Sequence, residues 1–244
     1  MNKSADLWKV MLGVMLVMQA GIAMDYWPKF TSVRWAVHIH YWNATAWYTL
    51  LILQPWLVAK KNITAHRFWG MIGLLMAGGM VLLSVSQLHR DIFYADFVRD
   101  NPGANGPFEP WFFLSVLMNE VVLVTGYMIA VVMAVRTRKS PEDHAWWMAS
   151  TAFLLLMPAL GRGIQNAAIM IFGFSPEITF VVMPPLYLTQ VIIISMLLGV
   201  AGWIGKLRHP ATYLAVAANL AVFFTPHLAK LEPVQAALRA IFQN

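Results

Sequence analysis

The sequence predicts an all-α integral membrane bundle of seven transmembrane helices. Of its 244 residues, 59% are hydrophobic and 11% charged, whereas an ordinary soluble domain is nearer half apolar and a quarter charged. Seven apolar segments are each long enough to cross roughly 30 Å of hydrocarbon at about 1.5 Å per helical residue. None shows repeated period-2 alternation at barrel-strand length. Because backbone in lipid must satisfy its own hydrogen bonds, helices are the structure that remains.

The first segment, near 8–27, is followed by Asp25-Tyr26-Trp27-Pro28 where a signal peptide would need small residues, so it is expected to stay as a helix. The second, 33–59, opens through His38-Ile-His40 and closes through Gln54-Pro55-Trp56. The third, 66–88, begins at His66-Arg67 and carries Gly70, Gly73, Ala77 and Gly78, small residues that permit close helix contact. A long connection is expected over 89–111, where Asn101-Pro102-Gly103-Ala104-Asn105-Gly106-Pro107 is a run of turn residues. The fourth segment, 112–136, holds Asn119 and Glu120. The fifth, 145–172, follows His144 and holds Pro158 and Arg162. The sixth, 178–205, carries Met183-Pro184-Pro185, and the seventh is 210–228. Pro158 and the Pro184-Pro185 pair are expected to kink their helices. Residues 1–229 are thus read as one transmembrane domain. Residues 230–244 form a short tail, with Val234, Ala237, Leu238 and Ile241 at helical spacing for the outer interface.

Loop charge sets orientation. The N-terminus and the 2–3, 4–5 and 6–7 connections carry ten bases, from Lys3 to Arg208, against Asp6, Glu142 and Asp143. The opposite face has six bases against seven acids. The positive-inside rule places the first face in the cytoplasm, and an odd number of spans then puts the C-terminus outside. The compartment read from this is a bacterial inner membrane. Although 17 basic against 11 acidic residues give a net +6, that distribution serves orientation rather than a nucleic-acid groove. With no cysteine, disulfides, Cys-ligated zinc, iron–sulfur clusters and thiol nucleophiles are excluded.

Ionisable groups inside a span are costly and are candidates for function. Glu120 and Arg162 should lie at similar depth in the outer half as a buried pair. Gln165 and Asn166 fall near the Arg162 face, and Asn43 and Gln54 complete a candidate ligand cavity for a headgroup, quinone or proton. The plain alternative is a charge pair that only fixes packing. The histidines fall in two layers, with His66, His144 and His209 at cytoplasmic helix ends and His38, His40, His89 and His227 at external ends. A bis-histidine haem needs one histidine from each of two facing helices. His66 with His144, and His40 or His38 with His89, are candidate pairs. His38, His40 and His89 are also the candidate metal ligands, although H-x-H is not a helical chelate, because its members lie about 200° apart on the helix. From His66 to His89 is a rise of about 34 Å, too far for two haems centred on those ends to exchange electrons directly.

The run from His38-Ile-His40 through Gln54-Pro55-Trp56 to His66-Arg67-Phe68-Trp69-Gly70, then His144-Ala-Trp146-Trp147-Met148 and Arg162, resembles a bacterial domain-of-unknown-function family of polytopic membrane proteins over about residues 38–165. Its pattern opens helices with H-R-x-x-G and H-x-x-W-M. Ala145-Trp146 and Ala149-Ser150 depart from the basic residues usual there. The resemblance implies a shared bundle with His66, Gln54, His144 and Arg162 as recurring polar positions, and no activity. Histidines at both ends of a helical bundle are also loosely similar to transmembrane b-type cytochromes.

Three functions follow as expectations. The first is an inner-membrane redox protein that binds haem b or another His-ligated metal at His66, His144, His40 and His89 and exchanges electrons with quinol or a periplasmic partner. The second is a non-redox transporter, sensor or complex subunit using the Glu120/Arg162 cavity. The third is a His-metal membrane hydrolase or hydroxylase using His38, His40 and His89 with Asp91 or Asp96. A retinal protein is excluded because Lys230 lies at or beyond the outer end of the last helix, not at mid-span.

Overall fold

A computed structural model describes residues 6–242 of the chain; Lys3 of the charge tally and the last two residues of the tail lie outside them. The described residues are helical, with no strand among them. In chain order they form α1 (Leu7–Tyr26), α2 (Trp35–Ala59), α3 (Ile63–Asp100), α4 (Pro110–Arg136), α5 (Pro141–Leu154), α6 (Met157–Phe172), α7 (Met183–Ile204), α8 (Pro210–Val222), α9 (Thr225–Leu228) and α10 (Glu232–Phe242). Six helical stretches are long and apolar enough to cross a membrane: α1, α3, α4, α5–α6 taken together, α7 with its leading turn, and α8–α9. The protein is therefore an α-helical bundle with the composition of a multi-pass membrane protein. Helix α2 is outside that six. It has 25 residues, enough length to cross, but His38, His40, Asn43, Thr45, Thr49 and Gln54 lower its hydropathy.

Proline positions explain the helix breaks. Pro158 lacks an amide hydrogen and its ring clashes with the carbonyl four residues back, so the fifth segment ends at Leu154 and restarts at Met157. Pro184 and Pro185 do not kink a helix that is already running. They occupy the first turn of α7, where proline's missing donor is an orphan anyway. The last segment breaks in the same way before Pro226. Gly205, at φ 76°, closes α7 in the left-handed region, which a residue without Cβ enters freely.

The long loop expected over 89–111 is mostly helix. Helix α3 continues to Asp100 and has 38 residues, about 57 Å of rise, so only 101–109 connect it to α4. His89 consequently lies within the helix rather than at its end. The added turns are covered by α10, where Arg239 donates to Asp96 at 3.1 Å. Leu238 and Phe242 of α10 pack against a cluster of Leu88, Ile92, Ala95, Leu114, Leu117 and Ala229.

Helix α4 packs against α3, α5 and α8; α1 packs on α2 and α6; α7 lies between α6 and α8. The core is large and aromatic, with Trp47, Tyr48, Tyr127, Trp146 and Phe153 all buried. The Tyr127 hydroxyl has no hydrogen-bond partner, but the other buried ring donors do, as expected for indole and phenol. Trp47 donates to Thr151 at 3.1 Å, Tyr48 to the Ala152 carbonyl at 2.6 Å and Trp146 to Thr212 at 2.9 Å. These bonds tie α2 and α8 to α5.

Candidate functional site

The bundle gathers polar groups at two ends. At the end holding the α2–α3 and α4–α5 connections, the rings of His66 and His144 stand 6.3 Å apart between centroids, with planes at 88°. His66 lies in the first turn of α3 and His144 in the first turn of α5, so two separate helix starts bring the imidazoles together. His144 Nδ1 lies 2.8 Å from the Ala134 carbonyl. A carbonyl only accepts, so Nδ1 carries the proton and Nε2 keeps its lone pair.

Gln54 adjoins His66 and is therefore not part of the outer cavity that the sequence assigned it to; it stands in the last turns of α2, at the opposite end of that helix from His40. Its amide reaches His66 Nδ1. In the orientation that satisfies its other neighbours, its nitrogen donates to Nδ1 and, at 3.2 Å, to the His66 carbonyl, and its oxygen accepts from Gly70 N–H at 2.9 Å. An amide has a donor end and an acceptor end, so Gln54 can serve either tautomer of His66.

The other candidate pairs are not brought together. His38 Nδ1 is 2.7 Å from the Tyr26 hydroxyl and the ring is packed by Tyr26, Phe30 and Trp35. His89 is exposed. His40 is half-buried, and its Nδ1 has no hydrogen-bond partner. No group of three or more His, Cys, Asp or Glu able to hold a metal exists among the described residues. The expected metal set His38, His40 and His89 is thereby corrected: a hydroxyl occupies His38, and His89 faces outward from the middle of a long helix.

At the other end, four helices place charges around one crevice. Arg162, on α6, approaches Asp25 of α1 at 3.5 Å, and 44% of its side chain is open. Its direct partner is thus Asp25, which the loop tally had assigned to an external connection; Glu120 lies within electrostatic reach of Arg162 without a direct ion pair. Glu120, on α4, faces Ser84 of α3 and feels Arg90 and Asp91. Arg90 is committed to its neighbours, donating to Asp91 Oδ1 at 2.8 and 3.1 Å and to Gln87 at 2.6 Å. Asp91 Oδ2 is buried and unpartnered. Gln165 donates weakly to the Val181 carbonyl at 3.4 Å, and Asn166 is half-buried one residue further on. Asn43 is turned aside to α3, where its amide contacts the Met76 carbonyl at 3.4 Å.

What fixes Arg162 is backbone contact. A Cβ on Gly21 would lie 2.6 Å from the Ala159 carbonyl oxygen, and one on Gly163 would lie 2.6 Å from that of Gly21. Helices α1 and α6 therefore touch main chain to main chain, which brings Asp25 and Arg162 within reach of each other. Two surface grooves elsewhere are apolar. One of about 320 Å³ is lined by Trp8, Thr49, Ile52, Leu53 and Trp56, and one of about 380 Å³ by Tyr187, Leu220, Phe223, Phe224 and His227. Comparison with protein-family models, curated proteins and solved structures finds no match to the chain.

Proposed function

We propose that the chain is a redox protein of a bacterial inner membrane, crossing it seven times with the N-terminus in the cytoplasm and the C-terminus outside, and that His66 and His144 are the axial ligands of a b-type haem serving electron exchange with membrane quinol. The observation that carries this reading is the approach of the two imidazoles to 6.3 Å between centroids. Two metal–nitrogen bonds of about 2.0–2.1 Å plus the two ring radii add to about that separation when one metal lies between them.

The residues fit the group in a second respect. A ligating histidine usually hands its other ring N–H to a carbonyl or similar acceptor, which fixes the tautomer. Ala134 does this for His144. For His66 the amide of Gln54 would have to turn over to present its oxygen to Nδ1–H and free Nε2, because the orientation its other neighbours satisfy donates to Nδ1 instead. When bound, the haem would supply one-electron chemistry. The chain's own residues hold the imidazoles on two helix starts and set their planes.

The test is the optical spectrum of detergent-purified protein, oxidised and dithionite-reduced. The expected result is a Soret band with α and β bands that sharpen on reduction, lost in His66→Ala and in His144→Ala while far-UV circular dichroism stays helical. Equal haem content in both variants would remove the pair as ligands.

A second reading is favoured by one observation, the exposure of the Arg162 side chain beside Asp25 of α1. It is a non-redox binding protein, whether transporter, sensor or complex subunit, that takes its ligand in the outer crevice.

A further inference from the structure

Charges within helices of this composition are costly unless paired, and the pairing in the outer crevice is incomplete on both signs. Arg162 has five N–H donors and one long contact, 3.5 Å to Asp25. That carboxylate is also held by Lys29 at 3.0 Å. Glu120 faces the Ser84 hydroxyl and lies within electrostatic reach of Asp91, Arg90 and Arg162. Arg90 is spent on Asp91 and Gln87, and the second oxygen of Asp91, a residue only 2% exposed, has no partner.

We propose that this crevice binds a zwitterion, its oxyanion on the Arg162 guanidinium and its ammonium on the Glu120 carboxylate, with the buried Asp91 carboxylate adding negative charge behind it. A simple anion entering here would meet Asp25, Asp91 and Glu120. A simple cation would meet Arg162 and Arg90. A dipolar ligand alone answers both signs at once, and Arg162 and Glu120 lie within electrostatic reach of one another. Arginine's planar fork suits carboxylate and phosphate oxygens. The Gln165 and Asn166 amides, three and four residues on, follow it along the same helix. Two sources carry this chemistry: the phosphoethanolamine headgroup of a membrane lipid, and a free amine–oxyanion solute such as an α-amino acid. The inference rests on the crevice alone and needs no haem at the other end.

The experiment uses delipidated full-length protein and follows its thermal midpoint with four separate probes: phosphatidylethanolamine, phosphatidylglycerol, O-phosphoethanolamine and glycine. The expected result is a raised midpoint with a zwitterionic probe and none with phosphatidylglycerol, with apparent affinity at least tenfold weaker in Glu120→Gln and in Arg162→Gln. A response to phosphatidylethanolamine alone assigns the lipid source, and a response to either solute assigns the free one. Equal responses to the two lipids, or no response to any probe, would overturn the proposal. Arg162→Gln also unpairs Asp25; if it does not fold, the near-isosteric Glu120→Gln decides, and unchanged affinity in that variant overturns the proposal.

Discussion

Gly21 and Gly163 meet where a methyl group has no room, since each added Cβ would stand 2.6 Å from a main-chain oxygen. Gly163→Ala is therefore expected to force α6 away from α1 and to cost about 1–3 kcal/mol, as overpacking does. Its thermal midpoint should fall, and the Arg162–Asp25 contact should loosen with it. A midpoint equal to that of the parent would show that the helices can part freely. Residue chemistry was partly legible in the sequence. The pairing of His66 with His144 followed from their places at helix starts on one face, and Gln54 was marked by the same pattern as His66. Asp25, Arg90 and Asp91 were missed as members of the crevice because they sit at helix ends or in an apparent loop, where a charge attracts no attention. What brings Asp25 to Arg162 is the glycine contact, and a lone glycine in an apolar run has many uses.

The clasp between the helix starts of α5 and α8 is a single element with a pH-sensitive part. Asp143 accepts from Lys206 at 3.1 Å and from Ser140 at 2.8 Å, and lies 3.3 Å from His209 Nε2. His209 caps α8, its Nδ1 accepting from Ala211 N–H at 3.1 Å, which requires the neutral ring. Burial, and then the Lys206 ammonium, hold the His209 imidazole below its ordinary value, with Asp143 opposing. A folded value below the unfolded one means that the unfolded chain binds more protons between the two. The contribution of His209 to stability is thus complete above about 6.5 and is lost as pH falls through the depressed folded value. Thermal midpoints measured from pH 8 to pH 5 should drop on the acid side, and His209→Asn, which keeps a capping side chain, should flatten that part of the profile. An unchanged profile in the variant would remove the cap from the account. Helix existence at this scale was read correctly from apolar length; at Pro158 a kink was expected, and the structure has a full break between Leu154 and Met157. The extension of α3 to Asp100 was not read from the sequence, because Arg90, Asp91, Asp96, Arg99 and Asp100 look like loop polarity. Arg99 and Asp100 are instead on an exposed helix face, Asp96 is joined by Arg239 of α10, and Asp91 is turned into the bundle.

As a whole molecule the chain has an orientation and, in the proposed reading, seven crossings. The native absence of cysteine makes single-cysteine labelling clean. Ser32→Cys, Ala104→Cys and Glu177→Cys should react with an impermeant maleimide in intact spheroplasts. Lys60→Cys, Arg138→Cys and Leu207→Cys should react only after the membrane is opened. Ser32 and Lys60 flank α2, the helix whose polar residues leave it outside the six apolar stretches, so labelling of both from one side would remove it as a span. The sequence offers orientation as an expectation, from the ten bases that crowd one set of connections. It offers less on ligands, because a histidine at a helix end looks the same whether it holds a metal or water.

Ligation of haem by His66 and His144 is tested most directly by electron paramagnetic resonance of the oxidised protein. Imidazole planes at 88° predict a low-spin ferric signal of the highly anisotropic kind that perpendicular axial ligands produce. A high-spin signal, or folded protein retaining its membrane lipids with no ferric haem signal, would contradict it.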